Sequence, residues 1–141
     1  MRNLVIGLFA STLVTSPAVA QYAPFNETGV TMGHWHLVSH DVQANKKLFI
    51  AIGGRDVSRG SAATVQFPGA RINLNLGDEP PGKGGTVGSV INHVGFIVDN
   101  VQARAAEWKA AGVPVLPGNN NRLDQAFVVT PDEVRIEILE D

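Results

Sequence analysis

The sequence contains no cysteine, and this absence excludes several kinds of site at once. Among its 141 residues there is no thiol for a disulfide, a zinc ribbon, an iron–sulfur cluster or a cysteine nucleophile. The chain also lacks a basic excess, because 11 Lys and Arg face 13 Asp and Glu. The chain has no excess of positive charge to neutralise a phosphate backbone, so no nucleic-acid partner is expected. Any tight metal site must therefore be built from His, Asp, Glu, Asn or Gln.

What the chain does have is the composition of a folded domain. Hydrophobic residues make up 44% and charged residues 17% of the sequence, which argues against wholesale disorder. A length of 141 residues suits one domain, or two small halves of one.

Residues 1–20 have the three parts of a secretory signal peptide. Arg2 precedes an apolar run of 11 residues at 4–14, and an Ala-Val-Ala cleavage site follows at 18–20. The run is shorter than the roughly 20 apolar residues that cross a bilayer, so no membrane association is expected after cleavage. We predict a secreted or periplasmic protein that begins at Gln21 with an N-terminal arm over 21–29.

An internal repeat is the most informative feature of the remaining chain. Two segments begin with His34 and His93, 59 residues apart, and continue as strand-like runs. Each run ends in an Asx residue, Asp41 or Asn100, which is a good type for capping the helix expected next. The shared order indicates a duplicated strand–helix unit.

The two halves also end alike. The first closes with Arg-Ile-Asn-Leu-Asn-Leu at 71–76 and the second with Arg-Ile-Glu-Ile-Leu-Glu at 135–140. Between the halves, residues 77–88 are rich in Gly and Pro, which is typical of a linker. We predict module one over 30–76, this linker, and module two over 89–141, together forming a single domain over 30–141.

Alternation along these strands puts the polar side chains of both halves on one face of the predicted sheets. The opposite face is apolar and is expected to pack on the helices. We call the first the polar face, and it carries His34, His36, Arg71, Asn73, His93, Arg135 and Glu137. A sheet of this kind is expected to form a cup-shaped cavity that binds a ligand.

Three residues of the polar face, His34, His93 and Glu137, make up the ligand set of a 2-His-1-carboxylate metal site. Such a site suits divalent Fe, Ni, Co, Mn or Zn. His36 lies two residues from His34, and the sequence leaves open a ligand, an acid/base or a wall residue there. Glu137 and His36 are the candidate catalytic residues, and no residue is assigned to an organic cofactor.

Three further residues of the polar face are candidates for contact with a substrate. Arg71 and Arg135 are able to hold an anionic substrate, although a role at the rim or in barrel closure is favoured for both. Asn73 occupies the equivalent of Glu137 and is the third candidate.

The second half in particular resembles the vicinal oxygen chelate superfamily, which includes glyoxalase I, extradiol dioxygenases, and fosfomycin and bleomycin resistance proteins. The likeness rests on the run at 93–103, on Ala-Ala-Gly-Val-Pro-Val at 110–115 and on the segment at 131–138. It implies an α+β fold of two βαβββ modules that form an incomplete eight-stranded barrel with the helices outside.

The resemblance also implies where a metal binds. Family ligands lie at the start of the first strand and in the last strand of each module, which correspond to His34, Asn73, His93 and Glu137. Asn73 departs from the carboxylate that glyoxalase-like members usually have, while a three-ligand set remains intact. Related proteins close the cup within one chain or by exchanging modules across a dimer, so a homodimer is one of two arrangements left open.

The resulting hypothesis is a divalent-metal-dependent enzyme that acts on a small oxygen-bearing substrate. Glyoxalase-like lyase or isomerase chemistry and Fe(II) dioxygenase chemistry both fit the ligand set. The alternative is a non-catalytic protein that binds or sequesters a small molecule, as bleomycin resistance proteins do. That alternative does not need His34, His93 and Glu137 together, and aromatic residues at 6% give little surface for stacking.

Overall fold

A computed structural model of the chain describes residues 22–77 and 85–141. The predicted signal peptide and residues 78–84 of the predicted linker lie outside these ranges. Within the two ranges, none of the helices has the length and apolar character needed to cross a membrane.

Both halves of the described chain follow the order strand, helix, strand, strand, strand. Module one contains β1 (His34–Ser39), α1 (Val42–Ala51), β2 (Arg55–Asp56), β3 (Ala63–Phe67) and β4 (Ala70–Leu76). Module two contains β5 (Val94–Val98), α2 (Val101–Ala110), β6 (Val115–Pro117), β7 (Gln125–Val129) and β8 (Arg135–Glu140). A short 3-10 turn, Asn119–Asn121, joins β6 to β7. The predicted α+β fold of two βαβββ modules is confirmed.

The strands form two four-stranded sheets with the same topology, in the orders β1-β4-β3-β2 and β5-β8-β7-β6. The first strand of each module runs parallel to the last, and the remaining neighbours are antiparallel. His36 pairs with Asn73 in one sheet, and Gly95 pairs with Glu137 in the other. These are the positions that the sequence repeat makes equivalent, so the duplication extends to strand register.

The apolar faces of both sheets are buried, as alternation predicts. Ile72 in β4, and Ile136 and Ile138 in β8, are at most 1% exposed, and they belong to one core that the two modules share. The aromatic rings of Phe67 and Phe96 meet across the modules with centroids 4.8 Å apart. Burial of each such side chain stabilises the fold by about 1.5–3 kcal/mol.

A polar network also joins the modules on the helix side. Asp132 accepts hydrogen bonds from the backbone N–H and ring Nδ1 of His40, at 3.1 and 2.8 Å. Its other oxygen accepts from Asn45 Nδ2 at 2.6 Å, and that amide also donates to Ser39 Oγ at 2.8 Å. Ser39 and Asn45 are fully buried, so the carboxylate of Asp132 in module two contacts buried polar groups of module one.

The helices begin at the predicted caps. The Asp41 side chain accepts from the Ala44 N–H at 2.9 Å, and the Asn100 side chain accepts from the Ala103 N–H at 2.7 Å. Each helix is followed by a glycine with positive φ, where a side chain would be strained.

Removal of either cap is expected to destabilise the protein modestly. Asp41→Ala and Asn100→Ala should each lower the free energy of unfolding by about 1 kcal/mol, because a helix N–H loses its acceptor. Urea unfolding followed by circular dichroism measures the change. Asn100→Asp keeps an acceptor and Gln43→Ala removes an exposed side chain outside the cap, so both should unfold like the unmodified protein. Equal losses in all four variants would contradict the assignment.

Candidate metal centre

His93 and Glu137 form the central pair of the candidate site on the polar face of module two. His93 Nε2 lies 3.1 Å from Glu137 Oε2, with side-chain exposures of 38% and 17%. His93 directly precedes β5, and Glu137 lies in the neighbouring strand β8, opposite Gly95. A glycine at that position leaves the space above the pair without a side chain.

The partners of this pair fix how its atoms are oriented. His93 Nδ1 lies 3.0 Å from Asn92 Oδ1, an oxygen that accepts hydrogen bonds, so this contact suits the tautomer in which Nδ1 carries the proton. Gln125 Oε1 accepts from the Asn119 N–H at 2.7 Å, and its Nε2 therefore donates to Glu137 Oε1. Glu137 Oε2 and His93 Nε2 then face each other at 3.1 Å, the separation of a hydrogen-bonded pair and one that also lets both atoms bind a single metal ion.

The pair offers an imidazole nitrogen and a carboxylate oxygen, the donor types that the predicted divalent metals prefer, and a separation of 3.1 Å would let both bind one ion. An imidazole whose second nitrogen is hydrogen-bonded, beside a carboxylate held by an amide, is also the usual arrangement around bound metals.

Module one carries the other predicted histidines. The His34 and His36 rings lie edge to face with centroids 5.1 Å apart. His36 Nδ1 is 2.7 Å from the Asn75 amide, and its Nε2 has a longer contact of 3.4 Å with the Asn73 amide. Apart from the ring contact with His36, the structure gives the His34 side chain no polar partner among residues 22–77 and 85–141.

His34 is thus separated from the pair that it was predicted to join. Among the described residues, no three His, Asp or Glu side chains come together closely enough to hold a metal ion. The chain brings together two of the three predicted ligands, His93 and Glu137, and holds His34 in the other sheet. The role of all three as metal ligands stays a prediction.

The two predicted substrate arginines have different surroundings. The Arg71 guanidinium donates from Nε to Gln66 Oε1 at 3.1 Å and lies 5.1 Å from the centre of the Tyr22 ring. The Arg135 guanidinium lies 3.7 Å from the centre of the Phe127 ring, beside the His93–Glu137 pair. Asn73 contacts Thr64 Oγ1 at 3.3 Å as well as His36, so its amide is engaged inside module one.

Comparison with known proteins agrees with this architecture. No protein-family model matches the sequence, and no curated protein matches it either. The structure is similar to a fosfomycin resistance protein, FosX from Listeria monocytogenes, with a TM-score of 0.60, 16% identity, and coverage of 77% of this chain and 88% of that one. It is also similar to TnmS3, an antibiotic binding protein from Streptomyces sp. CB03234, with a TM-score of 0.58, 18% identity, and coverage of 89% and 98%. The trypanothione-dependent glyoxalase I of Leishmania major gives a TM-score of 0.52, 17% identity, and coverage of 76% and 84%.

The chain has the vicinal oxygen chelate fold. In this fold the repeat puts His34 and His93 at equivalent places in two sheets, and Asn73 and Glu137 at the equivalent places in the last strands. The neutral amide of Asn73 is committed to neighbours in module one, whereas the carboxylate of Glu137 faces His93. Of these two equivalent positions, the one in module one therefore carries a neutral amide and the one in module two a carboxylate.

Sequence reasoning missed the residues that support the pair. Gln125 is 5% exposed and holds Glu137, yet it begins a strand that reads as a run of core residues. A buried amide in such a strand is a signal, because an amide without partners in the core is costly. Asn92 directly precedes His93, and its contact depends on a loop conformation that the sequence does not specify.

Proposed function

We propose that the protein is exported and is a divalent-metal-dependent enzyme that acts on a small oxygen-bearing substrate. The observation that carries this proposal is the His93–Glu137 pair, whose Nε2 and Oε2 atoms lie 3.1 Å apart and are both able to bind one metal ion. Asn92 and Gln125 orient the pair from outside, and this support is what a metal site requires and a surface ion pair does not. The similarity in fold to glyoxalase I and to FosX is in keeping with the proposal.

The third ligand in this proposal is His34 of a second copy of the chain. Within one chain His34 belongs to the sheet that does not contain the pair, and its ring has no hydrogen bond among the described residues. A twofold homodimer that sets module one of one copy against module two of the other completes two identical sites. The ligand set is then two imidazoles and one carboxylate, with positions left open for substrate.

Each residue of the proposed site has its own role in the reaction. A bound divalent metal would supply Lewis-acid activation of a substrate oxygen, or oxygen chemistry if the metal is iron. Glu137 and His93 would hold the metal, while Gln125 donates to Glu137 Oε1 and so leaves Oε2 as the oxygen available to bind it. The Asn75 amide lies 2.7 Å from His36 Nδ1 and donates to it, so the proton of the His36 ring is on Nε2, from which it would donate a hydrogen bond to a substrate oxygen. Lyase or isomerase chemistry and dioxygenase chemistry both use these tasks.

The metal content of the purified protein tests the proposal. We expect near-stoichiometric metal after anaerobic or aerobic preparation, measured by inductively coupled plasma mass spectrometry. His93→Ala and Glu137→Ala should each lower the metal content at least about tenfold, because the two remaining ligands bind a metal ion more weakly than three do. Glu107→Gln, an exposed carboxylate on α2, should leave the content unchanged and serves as the control. Iron favours oxygenase chemistry, whereas nickel, cobalt or zinc favours lyase or isomerase chemistry.

The second candidate is a protein that binds a small molecule without catalysis. The neutral Asn73 and the similarity in fold to an antibiotic binding protein favour it. A protein that takes up none of the five metals under any loading condition would refute the enzyme and leave this candidate.

A further inference from the structure

Arg135, on the polar face of module two, has no anionic partner in the part of the chain that the structure describes. The residue is partly buried, and its Nε is fully buried without a hydrogen-bond partner. Within residues 22–77 and 85–141 its guanidinium forms no hydrogen bond and no ion pair, and its one contact of note is with the Phe127 ring. By contrast, Arg104 pairs with Asp99 and Glu107 on the surface.

This arrangement leaves a charge incompletely compensated. An aromatic ring beneath a guanidinium stabilises its charge but satisfies none of its N–H donors. A cation partly removed from water is retained where something else supplies the missing acceptors. Glu137, two residues away on the same strand, is already engaged by His93 and Gln125. Among residues 22–77 and 85–141, the terminal N–H groups of Arg135 therefore have no acceptor, and a ligand is able to supply one.

The position of Arg135 ties this ligand to the candidate metal centre. Phe127 is buried and contacts both groups, with Arg135 3.7 Å above its centre and the His93 ring centroid 6.5 Å away. Val129 pairs with Arg135 and Phe127 pairs with Glu137 in the β7–β8 ladder, which fixes the order along the face. A ligand held by Arg135 thus lies beside the metal pair.

We propose that Arg135, supported by Phe127, binds the carboxylate of the substrate, so that the substrate is a small organic acid. This inference rests on the proposed function, because only an enzyme has a substrate. Binding of a carboxylate by Arg135 does not itself require a metal. The planar fork of a guanidinium matches the two oxygens of a carboxylate. A single positive charge next to the negative Glu137 suits a monoanion better than a phosphate dianion. Phe127 is a positioning residue that acts through Arg135.

Nuclear magnetic resonance of the 15N-labelled protein without added metal tests this site directly. The Nε–Hε signal of Arg135, identified by its absence in Arg135→Gln, reports on the guanidinium. Benzoate should shift this signal saturably, while benzamide, its neutral isostere, should bind at least about tenfold more weakly. Inorganic phosphate is a second probe and should also bind more weakly than benzoate.

Variants separate the fork from general charge. Followed through backbone amide signals, benzoate binding should weaken at least about tenfold in Arg135→Gln and about fivefold in Arg135→Lys, which keeps the charge and loses the fork. Arg104→Gln removes a paired surface arginine and should change nothing. If Arg135→Gln does not fold, Arg135→Lys still decides the question.

Three results would overturn the inference: equal binding of benzoate and benzamide, tighter binding of phosphate, or unchanged benzoate binding in the Arg135 variants. Because metal content is measured separately, loss of this site leaves the proposed enzyme standing. A protein that binds benzoate through Arg135 and takes up no metal would instead keep the carboxylate site and remove the enzyme.

Discussion

A mixture of His34→Ala and Glu137→Ala proteins is expected to bind metal although neither variant does so alone. If the site joins His34 of one copy to His93 and Glu137 of the other, a mixed dimer has one site with both substitutions and one with neither. Random exchange of subunits makes half of the dimers mixed, so about one quarter of all sites regain a full ligand set. The change from almost no metal to a quarter of the sites is a large effect.

The measurement is the metal content of the mixture after subunit exchange in mild denaturant and dialysis into buffer with the metal. Each variant taken through the same steps alone gives the baseline. A mixture of His93→Ala and Glu137→Ala proteins is the matched control: both substitutions fall in module two, so every site of its mixed dimers lacks one ligand. Metal regained in this control, or none regained in the test mixture beside a fully loaded unmodified protein, would show that the site does not form across a dimer.

The sequence was sufficient to predict the features that depend on local periodicity. Alternation in 71–76 and 135–140 predicted which residues face the core, and the structure buries Ile72 and Ile136 accordingly. The repeat predicted that His34 and His93 occupy equivalent places, and strand register confirms it. Both properties follow from neighbours within a few residues and from the duplication, so a single sequence contains them.

Contacts between distant residues could not be predicted in the same way. Nothing in a strand pattern says whether His34 reaches Glu137 within a chain, because that depends on how two modules are set against each other. The pairing of Gln125 with Glu137 needs a β7–β8 register set by a turn of several residues. His40 and Asp132, 92 residues apart, meet only because the two modules pack against each other. Their meeting has no signature in composition or spacing.

Asp132 also carries the second large prediction, which concerns stability. Burial raises the pKa of its carboxyl, but hydrogen bonds from His40, Ser39 and Asn45 outweigh burial, so the pKa of Asp132 lies below its ordinary value. Because the pKa is lower in the folded than in the unfolded protein, the charged form stabilises the fold. That stabilisation is complete above the unfolded pKa of about 3.9 and is lost as the pH falls through the folded pKa.

Asp132→Ala should therefore lower the free energy of unfolding at pH 7 by about 3 kcal/mol, because Asn45 and Ser39 are fully buried and lose their charged acceptor. Urea unfolding at pH 7, 5 and 3 measures this, together with Asp132→Asn, which keeps the size and removes the charge. The gap between the unmodified protein and Asp132→Asn should be present at pH 7 and at pH 5, and it should be smaller at pH 3 than at pH 5. Asp99→Asn, at an exposed surface pair, is the control and should stay close to the unmodified protein at pH 7. A gap that widens toward low pH, or an Asp132→Ala protein as stable as the control, would mean that the carboxylate does not hold the modules together.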